Sequence, residues 1–253
     1  MRPPHVIVKP QMGGSFASHG RRISVRIAVT RQLLSRTVFY LVFVGGLLFV
    51  SAGTLAWPAA WIYLALTAVI SIGGGLWLAG HDPALLAERL KPMIQRDQKR
   101  WDKLFMPILL TLWCGWLVLM GLDAGRFHWS RMPLAGQILG VGLIAAGSYL
   151  VWLTFRANSY ASPVVKIQKE RGHRVVSTGP YAYVRHPMYA GALGFLLGAP
   201  LLLGSWWGLA AALLLVLAMA VRAVLEERAL TAELDGYADY AARVRYRLAP
   251  YLW

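Results

Sequence analysis

Acidic residues and cysteine are scarce in this sequence. Its 253 residues contain 11 Asp and Glu against 26 Lys and Arg, a formal net charge of +15, and only 15% of the residues are charged. Soluble domains carry about 25% charged residues. The single cysteine, Cys114, excludes an internal disulfide and a metal site built from several cysteines. A hydrophobic fraction of 57% argues against disorder of the chain as a whole.

Long uncharged runs show where the apolar residues are concentrated. A helix needs about 20 apolar residues to cross a bilayer. Four uncharged runs of about this length come first along the chain. Two shorter uncharged runs follow and are separated from each other by Gly204-Ser205. The sequence therefore predicts an all-α, polytopic membrane protein with about six spans, the last two forming a helical hairpin. The runs are residues 37–56, 58–80, 107–122, 134–155, 187–203 and 206–221.

The basic residues predict an orientation in the membrane. All of them except Arg126 and Arg131 lie before the first span, after the second, after the fourth or after the last. Cytoplasmic segments carry the excess of Lys and Arg. Both termini and the two long loops are therefore expected in the cytoplasm, at the inner or plasma membrane if the chain is bacterial. The positive charge is then explained by topology, and no nucleic-acid partner is expected.

Three regions are predicted along the chain. Residues 1–36 form an N-terminal segment, with a disordered tail over the first twenty and a membrane-surface stretch over residues 21–36. Residues 37–156 form a four-span transmembrane region. Residues 157–253 contain the remaining polar loops and the hairpin, where any chemistry must lie, because the outward loops are too short to build a site.

The C-terminal tail predicts an amphipathic helix at the membrane interface. Asp235-Gly236 is a helix stop signal. After it, apolar and aromatic residues recur at helical spacing opposite two arginines, as far as Pro250. These residues are Tyr237, Tyr240, Ala241, Val244 and Leu248, opposite Arg243 and Arg247.

The loop that precedes the hairpin predicts a polar cluster at the mouth of the fifth span. Gly179-Pro180 is a turn signal. Pro187 suits the first position of a helix and holds His186 outside it. An interfacial belt of Tyr and Arg at headgroup depth would have the same composition. The residues brought to the mouth are Tyr181, Tyr183, Arg185, His186 and Tyr189.

Two adjacent carboxylates, Glu226 and Glu227, follow the last span. Neighbouring residues on a helix point about 100° apart, so only one of them can face a given pocket. Arg222 is placed to pair with Glu226 at i,i+4. Glu227 has no such partner upstream, which makes it the better candidate for a ligand.

The remaining histidines and the spaced glycines do not indicate a metal site or a catalytic site. His173 and His186 are the only histidines in the C-terminal region, and no metal-ligand spacing accompanies them, so no metal site is predicted. The pairs Gly194/Gly198 and Gly136/Gly140 have the small-xxx-small spacing of close helix packing.

Two segments resemble the isoprenylcysteine carboxyl methyltransferase family. The resemblance covers residues 173–253, whereas the four earlier spans match only in hydropathy. That family and the phospholipid N-methyltransferases are integral membrane enzymes that use S-adenosyl-L-methionine. The segments are Gly179-Pro180-Tyr181 leading into Arg185-His186-Pro187-Met188-Tyr189-Ala190-Gly191, and Glu226-Glu227 followed by Gly236-Tyr237 and Tyr240.

The resemblance implies a cytoplasmic cofactor pocket and a lipophilic methyl acceptor that enters from the bilayer. It leaves open whether the acceptor is a carboxylate, an amine, a thiol or a hydroxyl, and it leaves the oligomeric state open. The implied cofactor-binding residues are His173, Tyr181, His186, Pro187, Tyr189, Gly191 and Glu227, and the implied catalytic residues are Arg185 and Glu226.

Two alternative functions share some of these features. Membrane reductases of the sterol and steroid type resemble the chain through an RHPNYxGE segment and bind NADPH. Here Met188 stands in place of that Asn and Ala192 in place of that Glu, which favours the methyltransferase. A non-catalytic membrane binding protein is the third hypothesis, whereas transport is disfavoured because the spans are nearly free of charge.

Overall fold

The protein is a bundle of membrane-length helices with a polar layer at one end. The computed structural model describes residues 14–251 and 253, and side chains from residue 29 onward except 252. The described residues form helices and loops without a strand. The helices are α1 Gly14–Ala52, α2 Pro58–His81, α3 Pro83–Arg89, α4 Arg100–Met120, α5 Leu134–Ala157, α6 Pro187–Leu203, α7 Trp206–Glu233 and α8 Tyr237–Arg243.

The predicted all-α, polytopic fold is confirmed. Five helical segments are long and apolar enough to cross a membrane. The apolar helix α6 is shorter, with 17 residues, or roughly 26 Å at 1.5 Å per residue. Helix α7 continues about three turns beyond the predicted apolar stretch and so carries Glu226 and Glu227 into the polar layer. The five segments are Val29–Ala52, Pro58–His81, Arg100–Phe127, Leu134–Ala157 and Trp206–Glu233.

The N-terminal segment differs from the prediction. Residues 1–13 lie outside the described residues, so the first part of the predicted tail is untested. From Gly14 the backbone is helical without a break to Ala52. Residues 14–20 are therefore helical rather than disordered, and the predicted surface stretch 21–36 belongs to the same helix as the first span. No proline interrupts this helix, so no backbone N–H is missing from its hydrogen bonds and no ring clash breaks it.

The C-terminal helix is shorter than predicted and has a different partner. Helix α8 ends at Arg243. The following residues run beside the loop before α6, where the N–H groups of Arg185 and His186 donate to the carbonyls of Tyr246 and Arg247 at 2.9 and 2.8 Å. These long-range bonds replace the helical ones predicted as far as Pro250. The tyrosines of α8 pack inward on the polar loops, so its apolar face covers protein rather than lipid.

Glycines bring α5 and α6 into backbone contact. A Cβ atom on Gly194 would lie 2.5 Å from the carbonyl oxygen of Leu143, and one on Gly198 would lie 2.6 Å from that of Gly140. This confirms the packing role predicted for Gly194, Gly198 and Gly140. Gly136 faces the Met132 side chain instead. The close contact fixes the start of α6 against the end of α5. The loop between these two helices, residues 158–186, is called the functional loop below.

This packing generates a stability prediction. Gly194→Ala should lower the melting temperature of the detergent-solubilised protein, by the equivalent of about 1–3 kcal/mol, because the new methyl meets backbone atoms that cannot move away cheaply. Gly142→Ala on α5 is the matched control, since a Cβ there meets nothing within 4 Å. Equal melting temperatures for the two variants would contradict the backbone contact.

Candidate active site

A cavity lies in the polar layer, where α6 begins and the last turns of α7 pass. The loop between α5 and α6 forms one wall and α8 forms another. Its lining is mostly aromatic and aliphatic, with one carboxylate and the basic side chains of Lys166, Arg174 and Arg185. The residues used below are Asn158, Tyr160, Ala161, Val164, His173, Arg174, Tyr181, Arg185, His186, Met188, Tyr189, Glu226, Tyr237 and Tyr240.

Local backbone preferences shape the loop before α6. Gly179 has a left-handed φ of +59°, a conformation that favours glycine. A short 3-10 turn, Gly179–Ala182, follows it. Pro187 is the first residue of α6 and His186 caps it, as predicted. The Gly-Pro turn and the His-Pro step therefore place Tyr181, His186 and Tyr189 along one side of the cavity.

Glu227 lies in an ion cluster behind the cavity wall. Its carboxylate accepts from Arg185 Nε at 2.7 Å, from Arg247 Nε at 2.9 Å and lies 3.1 Å from His186 Nε2. The second guanidinium nitrogen of Arg185, Nη1, donates to the carbonyls of Ala241 and Val244. The cluster thus fastens the loop and the C-terminal segment to α7, and Glu227 is absent from the cavity lining.

Glu226 is the carboxylate that faces the cavity. Its Oε2 accepts from the Tyr189 hydroxyl at 2.7 Å. That hydroxyl in turn accepts from Arg222 Nη1 at 2.6 Å. The predicted Arg222–Glu226 ion pair is therefore not formed directly, because the tyrosine hydroxyl stands between the two groups. One Glu226 oxygen is held by this bond while the other remains available to a ligand.

Arg222 is itself held by a buried carboxylate that no local sequence pattern indicates. Arg222 Nε donates to Asp102 Oδ1 at 2.9 Å, and the two side chains are 7% and 0% exposed. Asp102 Oδ2 also accepts from the Val165 backbone N–H at 2.9 Å and from Gln98 Nε2 at 2.8 Å. Helices α4 and α7 and the functional loop are thus joined at one carboxylate.

Three further side chains give the cavity an uncharged aromatic wall. The rings of Tyr160 and His173 lie 4.6 Å apart. Burial, and next the charge of Arg171, lower the pKa of His173, so its ring is neutral at pH 7. The Tyr181 hydroxyl accepts from Asn158 Nδ2 at 2.8 Å, and burial raises its pKa. This wall is suited to a flat or weakly polar ligand group.

Helix α8 contributes two tyrosines that were predicted to lie on the bilayer. Tyr240 is 2% exposed and donates to the Tyr181 carbonyl at 2.8 Å, and burial raises its pKa to about 12. Tyr237 is 5% exposed, and its hydroxyl has no hydrogen-bond partner among the described residues. Burying a hydroxyl group without a hydrogen-bond partner costs free energy. An acceptor atom of a ligand in the cavity would provide the missing partner.

The sequence-predicted residues are only partly brought together. The cavity wall includes His173, Tyr181, Arg185, His186, Tyr189 and Glu226, but not Pro187, Gly191 or Glu227. Pro187 is buried at the helix start, and a Cβ on Gly191 would meet the Gly147 carbonyl of α5 at 2.7 Å. Tyr183 is 71% exposed and lies outside the cavity. Among the described residues no group of His, Cys, Asp or Glu could hold a metal ion.

The buried pair predicts unequal effects of two similar substitutions. Asp102→Asn should destabilise the protein by about 3–5 kcal/mol, because it leaves a buried guanidinium without its counter-charge. Glu233→Gln, which breaks the more exposed ion pair between Lys99, just before α4, and Glu233, at the end of α7, should cost less than about 1 kcal/mol. Thermal unfolding in detergent measures both. A melting temperature for Asp102→Asn as high as that for Glu233→Gln would contradict the role given to the buried pair.

Comparison with known proteins shows that part of the chain is similar to methyltransferases. Residues 135–237 match the family model described as phospholipid methyltransferase. The chain is 36% identical over 82 residues to a protein-S-isoprenylcysteine O-methyltransferase of Saccharomyces cerevisiae, covering 32% of this chain and 34% of that protein. It is 35% identical over 71 residues to the protein of the same name from Schizosaccharomyces pombe, covering 28% and 30%.

The aligned segments span about a third of the length of these relatives. The family match runs from α5 to the first residue of α8, so it supports the predicted resemblance over residues 173–237 and extends it to the fourth span, which the sequence motifs did not include. The names of the two relatives agree with that resemblance.

Proposed function

We propose that the protein is an integral membrane methyltransferase that uses S-adenosyl-L-methionine and acts on a lipophilic acceptor. The observation that carries this proposal is the position of Glu226, a carboxylate held by Tyr189 at the wall of an aromatic cavity within the family-matched segment. A sulfonium or ammonium group is a natural partner for a carboxylate beside aromatic rings.

The residues present fit this cofactor. When bound, its sulfonium would supply an electrophilic methyl group with sulfur as the leaving group, and the acceptor would supply the attacking lone pair. Glu226 would accept a hydrogen bond from the ammonium group of the cofactor. The Tyr237 hydroxyl, which has no partner among the described residues, would donate to a cofactor oxygen or nitrogen. The neutral His173–Tyr160 pair offers a stacking surface. The chain would contribute mainly by holding the reactants together and limiting access of water.

Arg185 and Glu227 then act as positioning residues in this proposal, not in the catalytic and cofactor-binding roles that the resemblance implies. Arg185 has four of its five N–H donors directed at Glu227 and two carbonyls. A guanidinium with these partners holds the loop in place and has only one N–H left to donate to a substrate. Glu227 serves as its counter-charge.

The orientation proposed from the basic residues agrees with this site. The cavity lies at the end of the bundle that carries the two basic loops, which the positive-inside rule assigns to the cytoplasm. A lipophilic acceptor would reach it from the bilayer, past the apolar side chains Met188 and Val164 of the wall.

Ligand binding tests the proposal. Purified protein in detergent should bind S-adenosylmethionine and S-adenosylhomocysteine in a calorimetric titration and should not bind NADPH. The reverse preference would contradict the proposal and favour a reductase.

A single substitution tests the role of the carboxylate. Glu226→Gln should weaken S-adenosylmethionine binding by about 10-fold or more, since a charge-assisted hydrogen bond contributes about 1.5–3 kcal/mol. Glu233→Gln, two turns further along α7 and outside the cavity, should bind as the wild type does. Wild-type affinity in the Glu226→Gln variant would contradict the role given to Glu226 and would indicate that the cofactor binds elsewhere.

A further inference from the structure

The linker between α3 and α4, residues 90–99, has an outward face that combines apolar and basic side chains. Met93 and Ile94 are 43% and 58% exposed. Arg96 follows them and is exposed, and Arg100, also exposed, is the first residue of α4. Exposed apolar side chains among arginines are typical of a segment that lies in a membrane interface.

This outward face lies where the lipid-facing surface of the bundle begins. On α4, Leu104 is 73% exposed and lies roughly 6 Å along the helix axis from Arg100. On α1, Phe39 is 73% exposed and comes one turn after Arg36, whose Nη1 donates to the Lys91 carbonyl of the linker at 3.4 Å. Both arginines therefore lie next to the apolar surface, at the depth of the lipid headgroups.

Three arginines of this region have no acidic partner among the described residues. No carboxylate of those residues lies within 4.0 Å of the guanidinium of Arg36, Arg96 or Arg100. Asp97, the only acidic residue of the linker, pairs instead with the buried Lys166 at 2.9 Å. The outward face therefore carries positive charge that favours an anionic partner.

The inward face of the same linker holds the wall of the cavity. The Lys99 N–H donates to the Val165 carbonyl at 3.0 Å, and the Val165 N–H donates to Asp102 at 2.9 Å. Lys166 Nζ donates to Gln95 Oε1 of the linker at 2.9 Å. Val165 and Lys166 belong to the functional loop and line the cavity. One short segment thus connects the membrane-facing side of the protein to the candidate active site.

We propose that the outward face of the linker binds the anionic surface of the surrounding bilayer, and that this contact holds the cavity wall in its binding conformation. Each arginine at an anionic membrane surface strengthens such a contact about 5-fold, and Met93 and Ile94 leave water at the same place. The lipid in this role is part of the bilayer and not the methyl acceptor. The effect on the cavity rests on the proposed function, because it is expressed in cofactor binding.

Amide hydrogen exchange tests the membrane contact. The full-length protein is compared in nanodiscs of phosphatidylcholine alone and in nanodiscs that also contain phosphatidylglycerol. The Lys99 and Val165 amides of the wild type should exchange about 10-fold more slowly in the anionic nanodiscs, because the lipid holds the linker closed. At about 1 M NaCl, where the Debye length is about 3 Å, this difference should disappear. Equal exchange in the two lipids at low salt would overturn the proposal.

Two double variants locate the contact. Arg96→Gln/Arg100→Gln should lose the difference between the two lipids. The matched control, Arg126→Gln/Arg131→Gln, removes two exposed arginines from the opposite end of the bundle and should keep it. A difference that survives in the first variant, or that is lost equally in the second, would contradict the assignment of the contact to the linker.

Two further measurements define the partner. Inorganic phosphate added to the neutral nanodiscs should leave exchange unchanged, and slower exchange of the same amides would show a site for a free anion, which would overturn the lipid surface. Ile94→Ser should reduce the effect of phosphatidylglycerol, since the serine side chain gains little from leaving water. An undiminished effect would overturn the part given to the apolar side chains.

Cofactor binding tests the connection to the cavity. S-adenosylhomocysteine should bind the wild type about 5-fold more tightly in the anionic nanodiscs, and should bind Arg96→Gln/Arg100→Gln equally in both lipids. Equal affinity in the wild type would overturn the connection. A protein that binds no S-adenosylhomocysteine in either lipid, but keeps the lipid-dependent exchange, would instead contradict the proposed function while leaving the membrane contact in place.

Discussion

The candidate site depends on the buried ion pair between Asp102 and Arg222. Two charges at this depth lose much of their hydration, and a pair of this kind contributes little net stability compared with apolar residues of similar size. What it does here is fix geometry. Asp102 binds α4 to α7 and also to the backbone of the loop at Val165, while Arg222 directs a remaining donor to the Tyr189 hydroxyl. The orientation of Glu226 follows from that last bond.

The two adjacent glutamates divide between structure and ligand binding because they point in different directions. Glu227 faces Arg185, Arg247 and His186 and holds the loop and the C-terminal segment together. Glu226 faces the cavity, restrained at one oxygen only. Removing either carboxylate would disturb the same region, yet through different physical effects: loss of loop anchoring in one case and loss of a charge partner for the cofactor in the other.

The sequence was sufficient for the features that depend on local patterns. Uncharged runs predicted the spans, Pro187 predicted the start of α6, and the spacing of Gly194 and Gly198 predicted close packing on α5. It was insufficient wherever a partner lies far along the chain. The i,i+4 spacing predicts that Arg222 pairs with Glu226, but its carboxylate partner, Asp102, lies 120 positions away. Likewise, helical spacing predicts α8 as far as Pro250, because it cannot reveal that the backbone after Arg243 pairs with the loop at Arg185 and His186.

A structure of the protein determined with S-adenosylhomocysteine would test the central claim most directly. We expect the ligand in the cavity between the functional loop, α7 and α8, with its ammonium group at Glu226, a hydrogen bond from the Tyr237 hydroxyl, and Arg222 still paired with Asp102. A ligand bound outside this cavity, or one that contacts Glu227 after displacing Arg185, would contradict that claim.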